Sequence, residues 1–431
     1  MLFVQKFARL VVATEFEEKI MKTKAVRLYG ENDLRLEEFD LPNISDGEIL
    51  IKIVSDSVCM STYKTAKQGA KHLRVPNDVA TNPIIVGHEF CAEIVCVGKK
   101  WENEYKAGEK VIIPPVLSYL DANQTIGYSF TKIGGVSTYS IVYEHIISNG
   151  FLIKLQSDAF FKGSLIEPAS CVLRGYKANY HLDGDTPSMN IKPNSKLAIL
   201  AGCGPMGLVA IDIALHGAVK PSLVVVTDID DDRLNRAKQI FSPKEAEKNG
   251  IRLVFTKSTD TDELISISGG QGFDDVFVYA PISEVVKLGD SILAFDGCLN
   301  FFAGPLDKTF SAPVNFYNVH YAQHHYAGTS GSTPEDMKDI VKLIGENRID
   351  PAVMVTHIGG INSSIDTTLN LPYIKGGKKL IYTHVDMPLT PISEFAKIGK
   401  KDPRFTTLAT IIEQHGGLWC AEAEQYLIEN F

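Results

Sequence analysis

The side chains of Cys59, His88, Glu89 and Glu167 are of the types that bind zinc in proteins. Thiolate, imidazole and carboxylate are its usual ligands, and a catalytic site keeps one position open for water or substrate. Each residue alone has a simpler interpretation: a packed thiol, a hydrogen-bonded core histidine, or an acid at a helix N-terminus. Together, they predict a catalytic zinc site that activates an alcohol or water by lowering its pKa toward about 7.

Ser61 lies two residues after Cys59, where its hydroxyl could carry the alcohol proton outward as a relay. A serine in a turn also needs no such role. Gly87 precedes His88 and permits a close backbone turn, and Pro168 after Glu167 is typical of a first helical turn. The local sequence therefore predicts that these side chains are held at the ends of regular elements.

A glycine-rich loop follows the candidate ligands, with Gly202, Gly204 and Gly207 spaced as G-x-G-x-x-G and with Pro205 and Met206 between them. A buried strand precedes the loop and a helix follows it, which is the context of a dinucleotide-binding loop. The first glycine permits the turn, the second lets the backbone approach the pyrophosphate, and the third lets helix pack on strand. The free N–H groups of the helix N-terminus favour the phosphates.

Asp228 lies 21 residues beyond Gly207, at the end of an apolar run, which suits a carboxylate that binds the ribose hydroxyls of the cofactor. A 2′-phosphate at this position would meet like charge, and one such pair costs about 4 kcal/mol at ~4 Å and an effective dielectric constant of ~20. The sequence therefore favours NAD(H) over NADP(H). Arg233 or Arg236 could compensate the charge, so NADP(H) stays open as the alternative.

The elements that must position these residues change character along the chain. Short alternating runs from 21 to about 154 predict a β-rich, partly closed barrel, and residues 163–179 predict a helix that crosses between domains. From Lys196 onward, strands alternate with helices, which predicts a doubly wound parallel sheet. We therefore expect an extension over 1–20, a catalytic domain over 21–176 and 346–431 including a C-terminal tail, and a dinucleotide-binding domain over 177–345.

Composition excludes several classes of function. The 431 residues are 45% hydrophobic with a formal charge of −9, and no basic stripe suggests a nucleic-acid partner. No apolar stretch approaches the roughly 20 residues of a membrane span. The seven dispersed cysteines and the absence of a signal peptide favour a reduced, cytoplasmic protein.

The chain resembles the zinc-dependent medium-chain alcohol and polyol dehydrogenases over residues 22–385. The resemblance implies a GroES-like catalytic domain and a Rossmann domain, catalytic zinc at Cys59 and His88, and a glutamate as third protein contact. In the polyol branch that glutamate is either Glu89 or Glu167; we rank Glu167 first and allow the two to exchange. The resemblance also implies a homodimer or homotetramer. The matching pieces are Cys59-Met60-Ser61, Gly87-His88-Glu89, Gly98, 108–111, 134–139, Glu167-Pro168, the glycine loop and 376–378.

Two departures from the family pattern carry expectations. Thr62 stands where relatives often have an aspartate that orients the zinc histidine, which leaves the orientation of His88 open. No cysteine lies between Lys99 and Phe151, where many relatives carry four for a structural zinc. We therefore expect one zinc per chain.

The expected reaction is hydride transfer between NAD(H) and a secondary alcohol or ketone. Within the family the chain most resembles sugar-phosphate enzymes, and an unphosphorylated polyol is the alternative substrate. A basic loop after Cys59 could attract a substrate phosphate, although an ordinary solvated loop explains it too. A zinc-free or non-catalytic dinucleotide-binding protein is a further alternative, but zinc-free relatives lack the Cys and His–Glu set. The loop residues are Lys64, Lys67, Lys71, His72 and Arg74.

Overall fold

A computed structural model describes residues 21–117, 124–184 and 186–431. The predicted extension over 1–20 lies outside the described residues. The strands are β1 Met21–Gly30, β2 Asp33–Leu41, β3 Ile49–Ser57, β4 Ile84–Ile85, β5 Phe90–Val97, β6 Lys110–Ile112, β7 Tyr139–Val142, β8 Ile153–Leu155, β9 Tyr180–Asp183, β10 Thr186–Met189, β11 Lys196–Leu200, β12 Leu223–Thr227, β13 Arg252–Thr256, β14 Phe273–Val278, β15 Leu293–Phe301, β16 His325–Ala327, β17 Val355–Gly360, β18 Lys378–Tyr382 and β19 Thr390–Pro391.

The helices between these strands are mostly short. They are α1 Met60–Gln68, α2 Glu144–Ser148, α3 Phe160–Ser164, α4 Ile166–Ala178, α5 Pro205–His216, α6 Asp231–Ile240, α7 Pro243–Lys248, α8 Thr261–Ile267, α9 Ser283–Ser291, α10 Phe316–Tyr321, α11 Pro334–Gly345, α12 Ser364–Asn370, α13 Phe395–Ile398, α14 Pro403–Gln414 and α15 Ala421–Asn430. Within the described ranges, none of them combines the length and the apolar character needed to cross a membrane.

The two sheets of the catalytic domain are antiparallel except for the parallel pair β17 and β18. β1 pairs with β2 and β4 in a small sheet, and an eight-stranded sheet runs in the order β19-β17-β18-β3-β5-β6-β8, with β7 paired to β3. β18 lies antiparallel to β3, with Leu380 opposite Ser57. A segment more than three hundred residues away in sequence therefore completes the sheet that carries the candidate metal ligands.

The second sheet is parallel, with the order β13-β12-β11-β14-β15-β16. Its inner strands are apolar runs buried on both faces, such as the fully buried β12, because helices cover both sides. The predicted combination of a β-rich GroES-like domain with a Rossmann domain is confirmed. The carboxyl edge of this sheet carries the glycine loop after β11 and Asp228 after β12, the edge at which such folds bind dinucleotides.

The C-terminal tail packs into the catalytic domain through a buried polar contact. The Glu424 carboxylate accepts hydrogen bonds from the backbone N–H of Phe161 (2.7 Å) and from the hydroxyl of Tyr382 (2.8 Å). The indole of Trp419 donates to the same Tyr382 hydroxyl at 2.8 Å. The tail therefore holds the start of α3, directly before the helix that carries Glu167.

Candidate active site

Cys59 and Ser61 lie where β3 gives way to α1. Cys59 is the N-cap residue of α1, and its side chain makes no cap hydrogen bond, which leaves the sulfur available to a ligand. The Ser61 hydroxyl donates to Cys59 Sγ at 2.9 Å and lies 3.2 Å from His88 Nε2. The relay candidate therefore touches both of the ligands predicted from the sequence.

His88 and Glu89 are placed by a turn that only glycine fits. Gly87 has φ +92°, and a Cβ atom there would lie 2.7 Å from the backbone nitrogen of Val136. The chain then enters β5 at Phe90, with both His88 and Glu89 buried. This close approach of two backbone segments brings the imidazole and the carboxylate to the end of β3.

Cys59, His88 and Glu89 form a compact donor group. One ligand atom from each lies within 4.8 Å of the others. Burial, followed by the charge of Glu89, raises the pKa of the Cys59 thiol to about 12. A soft sulfur, an imidazole and a carboxylate in a buried pocket match the donor chemistry of zinc, and a divalent cation would favour the thiolate that burial disfavours. The residues present therefore fit a zinc ion.

Glu89 is anchored by a residue to which the sequence pattern assigned no role. Lys378 Nζ donates to Glu89 Oε1 at 2.7 Å and also reaches Oε2, and both side chains are buried. Ser57 donates a further hydrogen bond to Glu89 Oε2 at 2.5 Å. Lys378 belongs to the Gly376-Gly377-Lys378 piece of the resemblance, but its partner lies 289 residues away, so only the β3–β18 pairing shows the contact.

Glu167 occupies the first turn of α4 beside the same pocket, but outside the group of three. The Cys171 thiol donates to Glu167 Oε1 at 3.4 Å. Burial, followed by the charge of Glu89, raises the pKa of Glu167, which shows that the two carboxylates share one low-dielectric environment. Glu89 has a lysine partner, whereas the Glu167 carboxylate has the Cys171 thiol as its one side-chain hydrogen-bond partner among the described residues.

Around His88, the structure places Thr62, noted from the sequence, and adds Tyr128 and Asp56, which the sequence did not indicate. Thr62 Oγ1 lies 3.5 Å from His88 Nδ1, which is a long contact for an orienting partner. The Tyr128 ring centroid lies 5.3 Å from that of His88. Asp56 on β3 is 1% exposed, and its Oδ1 has no hydrogen-bond partner among the described residues. His88 is therefore positioned mainly by packing and by the Ser61 contact.

The glycine loop connects β11 to α5 with the geometry that each glycine predicts. A Cβ atom on Gly207 would lie 2.1 Å from the carbonyl oxygen of Gly202, so helix and turn touch there. A Cβ atom on Gly204 would meet nothing within 4 Å, so this position faces open space. Pro205 begins α5, followed by Met206. The loop thus has both the tight contact and the open approach that a pyrophosphate needs.

Asp228 closes the loop from β12. Its Oδ2 accepts from Cys203 N at 3.2 Å, and its Oδ1 accepts from Asp230 N at 3.1 Å. The Asp230 side chain caps α6 by accepting from Arg233 N at 3.1 Å. Arg233 therefore stands in the first turn of α6, close in sequence and space to the carboxylate that the sequence assigns to the ribose.

The chain belongs to the zinc-dependent medium-chain dehydrogenases and is an enzyme of the alcohol/polyol dehydrogenase type. Residues 45–150 match the family described as "Alcohol dehydrogenase GroES-like domain" and residues 205–346 the family described as "Zinc-binding dehydrogenase". The predicted family is thereby confirmed.

Two relatives match over nearly the whole chain. L-sorbose 1-phosphate reductase of Klebsiella pneumoniae is 48% identical over 95% of this chain and 98% of its own length. Mannitol-1-phosphate 5-dehydrogenase of Aliivibrio fischeri is 42% identical over 95% of this chain and 98% of its own. The solved structure of 2R,3R-butanediol dehydrogenase from Bacillus subtilis shares the fold, with a TM-score of 0.66, 22% identity, and coverage of 84% of this chain and 99% of that one.

Proposed function

We propose that this dehydrogenase interconverts the ketone and the secondary alcohol of a sugar phosphate with NAD(H). The Cys59–His88–Glu89 group beside an interdomain helix is the observation that carries the reaction type. The sugar phosphate is supported by the names of two relatives, one a reductase of L-sorbose 1-phosphate and one a dehydrogenase of mannitol 1-phosphate. An unphosphorylated polyol is the alternative that the experiments below separate from it.

Cys59, His88 and one of the two glutamates would hold the zinc, and the glycine loop with Asp228 would hold the cofactor. When bound, zinc polarises the substrate oxygen and the nicotinamide accepts or delivers the hydride. Ser61 lies against both Cys59 and His88, so its hydroxyl is placed to take the substrate proton and pass it outward. Burial raises the pKa of Tyr128, and its hydrogen bond to Ser61 offsets only part of this rise. Tyr128 therefore stays neutral beside the relay at physiological pH.

Glu167 and Glu89 are the two candidates for the third protein ligand of zinc, and we rank Glu167 first. Glu89 lies nearer to Cys59 and His88, but its charge is already matched by Lys378. Glu167 has no such cation in hydrogen-bonding range among the described residues, so a metal would gain more by neutralising it. Zinc content of Glu167→Gln and Glu89→Gln separates them: we expect the greater loss in Glu167→Gln, and the reverse order would remove Glu167 from first place.

The cofactor is NAD(H) in this proposal, because the Asp228 carboxylate is buried and held by the loop backbone where a 2′-phosphate would need room. Arg233, in the adjacent helix turn, is the residue that could admit NADP(H) instead. Fluorescence titration with NADH and NADPH measures the preference directly.

The decisive experiment combines metal analysis with a substrate comparison. We expect one zinc per chain and faster NADH oxidation with L-sorbose 1-phosphate than with L-sorbose. Cys59→Ser should lose zinc and turnover together, whereas Cys420→Ser, at the N-cap of α15, should retain both. A Cys59→Ser enzyme that has lost zinc but turns over normally would disprove the metal chemistry. Faster turnover of L-sorbose than of its phosphate would favour the polyol alternative.

We further propose a homodimer, or a tetramer of such dimers, in the cytoplasm. The edge strand β16 ends the parallel sheet, and exposed aromatic side chains surround it. The seven cysteines form no disulfide among the described residues, which fits a reducing compartment. Light scattering on Tyr321→Ser, which removes one exposed ring, tests the interface. The exposed residues are Phe295, Phe316, Tyr317, Tyr321 and Tyr326.

A further inference from the structure

We propose that Lys64, His72 and Arg74 form the subsite for the substrate phosphate, beside Tyr128, whose ring also packs against His88. The inference rests on the proposed function, since it needs a phosphorylated substrate. It assigns the phosphate to three of the five basic residues after Cys59 and leaves Lys67 and Lys71 out, a distinction that the sequence did not make.

Tyr128 connects the loop to the metal pocket. Its ring stacks on His72 with centroids 5.4 Å apart, and it packs against His88 at 5.3 Å. Arg74 Cζ lies 5.7 Å from the same ring centroid. A phosphate on the carbon next to the reacting carbonyl is only a few bonds from the oxygen that the metal pocket would bind. We therefore place the phosphate next to Arg74 and His72, at the ring that also contacts His88.

Lys64 and Arg74 are half-buried, and neither forms an ion pair with a carboxylate of the described residues. Within the described part of the chain, no carboxylate lies within 4.0 Å of Lys64 Nζ or of the Arg74 guanidinium, and neither group donates a side-chain hydrogen bond to another residue there. Burying cations without a counter-charge is unfavourable. An anion that binds here neutralises the two cations and accepts hydrogen bonds from their N–H groups. A phosphate dianion does both.

The other two cations of this segment, Lys67 and Lys71, are exposed to solvent. Lys71 is exposed and pairs with Glu31 at 2.7 Å, and Lys67 is exposed with its ammonium 5.6 Å from the Tyr63 ring centroid. Lys67 and Lys71 therefore serve as matched controls, because they carry the same charge in the same segment, Lys67 near the end of α1 and Lys71 in the short 3-10 turn that follows, but have other neighbours.

His72 presents a defined donor. Its Nδ1 accepts the backbone N–H of Arg74 at 3.2 Å, so the neutral ring carries its proton on Nε2. Burial, followed by the charges of Arg74 and Lys64, lowers the pKa of His72, which keeps the ring neutral in the empty site. A neutral Nε2–H group between two cations donates to a phosphate oxygen without adding repulsion.

Lys64 extends the subsite to the domain boundary. A Cβ atom on Gly304 would lie 3.9 Å from Lys64 Nζ. Gly304 follows β15, so it lies on the carboxyl edge of the parallel sheet, where the glycine loop also lies. The ammonium thus stands where both domains meet, and an anion held there is close to the expected position of the cofactor.

The test compares kcat/KM for L-sorbose 1-phosphate and L-sorbose across single variants. For Arg74→Ala we expect kcat/KM with the phosphate ester to fall about 10- to 100-fold, as for loss of a charge-assisted hydrogen bond, and to fall far less with L-sorbose. His72→Ala and Lys64→Ala should follow with smaller losses, and Arg74→Lys should recover part of the preference. Lys67→Ala and Lys71→Ala should keep the wild-type ratio.

Three outcomes would overturn the subsite. They are equal losses with both substrates in Arg74→Ala, losses in the Lys67 or Lys71 variants as large as that of Arg74→Ala, and a Lys64→Ala variant whose KM rises for NADH alone, which would assign Lys64 to the cofactor. Zinc content and thermal unfolding of each variant show whether it is folded. Failure of the proposed function itself is seen separately, as a wild-type enzyme with no preference for the phosphate ester.

Discussion

The cofactor loop and the metal pocket are held by different forces. The loop is held by backbone: Gly202 N donates to Thr227 O at 2.8 Å, and Gly207 packs directly on Gly202. The candidate metal pocket is held by the buried ion pair of Glu89 with Lys378, beside the carboxyl groups of Asp56 and Glu167, whose pKa values are raised by burial. Substitutions in the loop should therefore change stability or cofactor binding by steric overlap. Substitutions in the pocket should change stability by leaving a buried charge without its counter-charge.

Removal of the Lys378 ammonium should give the largest effect. Lys378→Met leaves the buried Glu89 carboxylate without its cation, and we expect the free energy of unfolding to fall by about 3–5 kcal/mol. Urea denaturation in the presence of a chelator measures it without a metal contribution.

Two variants control the Lys378 experiment. Lys379→Met changes the neighbouring ammonium, which donates to backbone carbonyls such as Gly377 O at 2.7 Å, and should lose less. Adding Glu89→Gln to Lys378→Met should restore part of the stability, because the orphaned charge is gone. If the double variant is no more stable than Lys378→Met, charge compensation is not what holds the pocket.

Two glycines of the loop should respond in opposite ways. A methyl group on Gly207 would collide with the Gly202 carbonyl, so Gly207→Ala should lower the free energy of unfolding by about 1–3 kcal/mol. Gly204→Ala has open space and should keep its stability but bind NADH more weakly, since the methyl group would lie in the space of the pyrophosphate. Thermal unfolding and NADH fluorescence titration test the pair, and equal stability losses at both positions would contradict the steric distinction.

The same contrast explains what could be predicted from the sequence. The loop, Asp228 and the helix of Glu167 are local patterns, in which a few adjacent residues set strand, turn and helix. The family and fold followed from these and from the spacing of Cys59 and His88. The contacts of Lys378, Tyr128 and Asp56 were not predictable, because they depend on which distant segments pair. The role of the tail was not predictable either, because Glu424 acts through hydrogen bonds to Phe161 in α3 and to Tyr382, both distant in sequence.

A charge substitution at the ribose position should give a moderate effect. Asp228→Asn keeps one acceptor for the loop backbone but removes the negative charge, so we expect NADH affinity to fall about tenfold, or ~1.4 kcal/mol, and NADPH to lose less. Titrations with both cofactors measure the change. Asp231→Asn, an exposed neighbour paired with Lys257, should leave both affinities as they are. Equal losses for NADH and NADPH in Asp228→Asn would refute a role in cofactor choice.

The smallest expected effect is a pH dependence from His357, on the strand β17 that pairs with β18. Burial, followed by the charge of Lys379, lowers the pKa of His357 on β17 from its ordinary 6.5 to about 4. The unfolded chain then binds more protons than the folded one between these values, so stability should decrease as the pH falls from 6.5 toward 4. One proton gives at most about 1.4 kcal/mol per pH unit, and the half-buried ring should give about 1 kcal/mol or less in total. The free energy of unfolding, measured by urea denaturation at several pH values in this range, should change less with pH for His357→Gln than for the wild type. His320→Gln on α10 should show the same dependence on pH as the wild type. Identical slopes for all three proteins would show that burial does not lower the pKa of His357 in the folded protein.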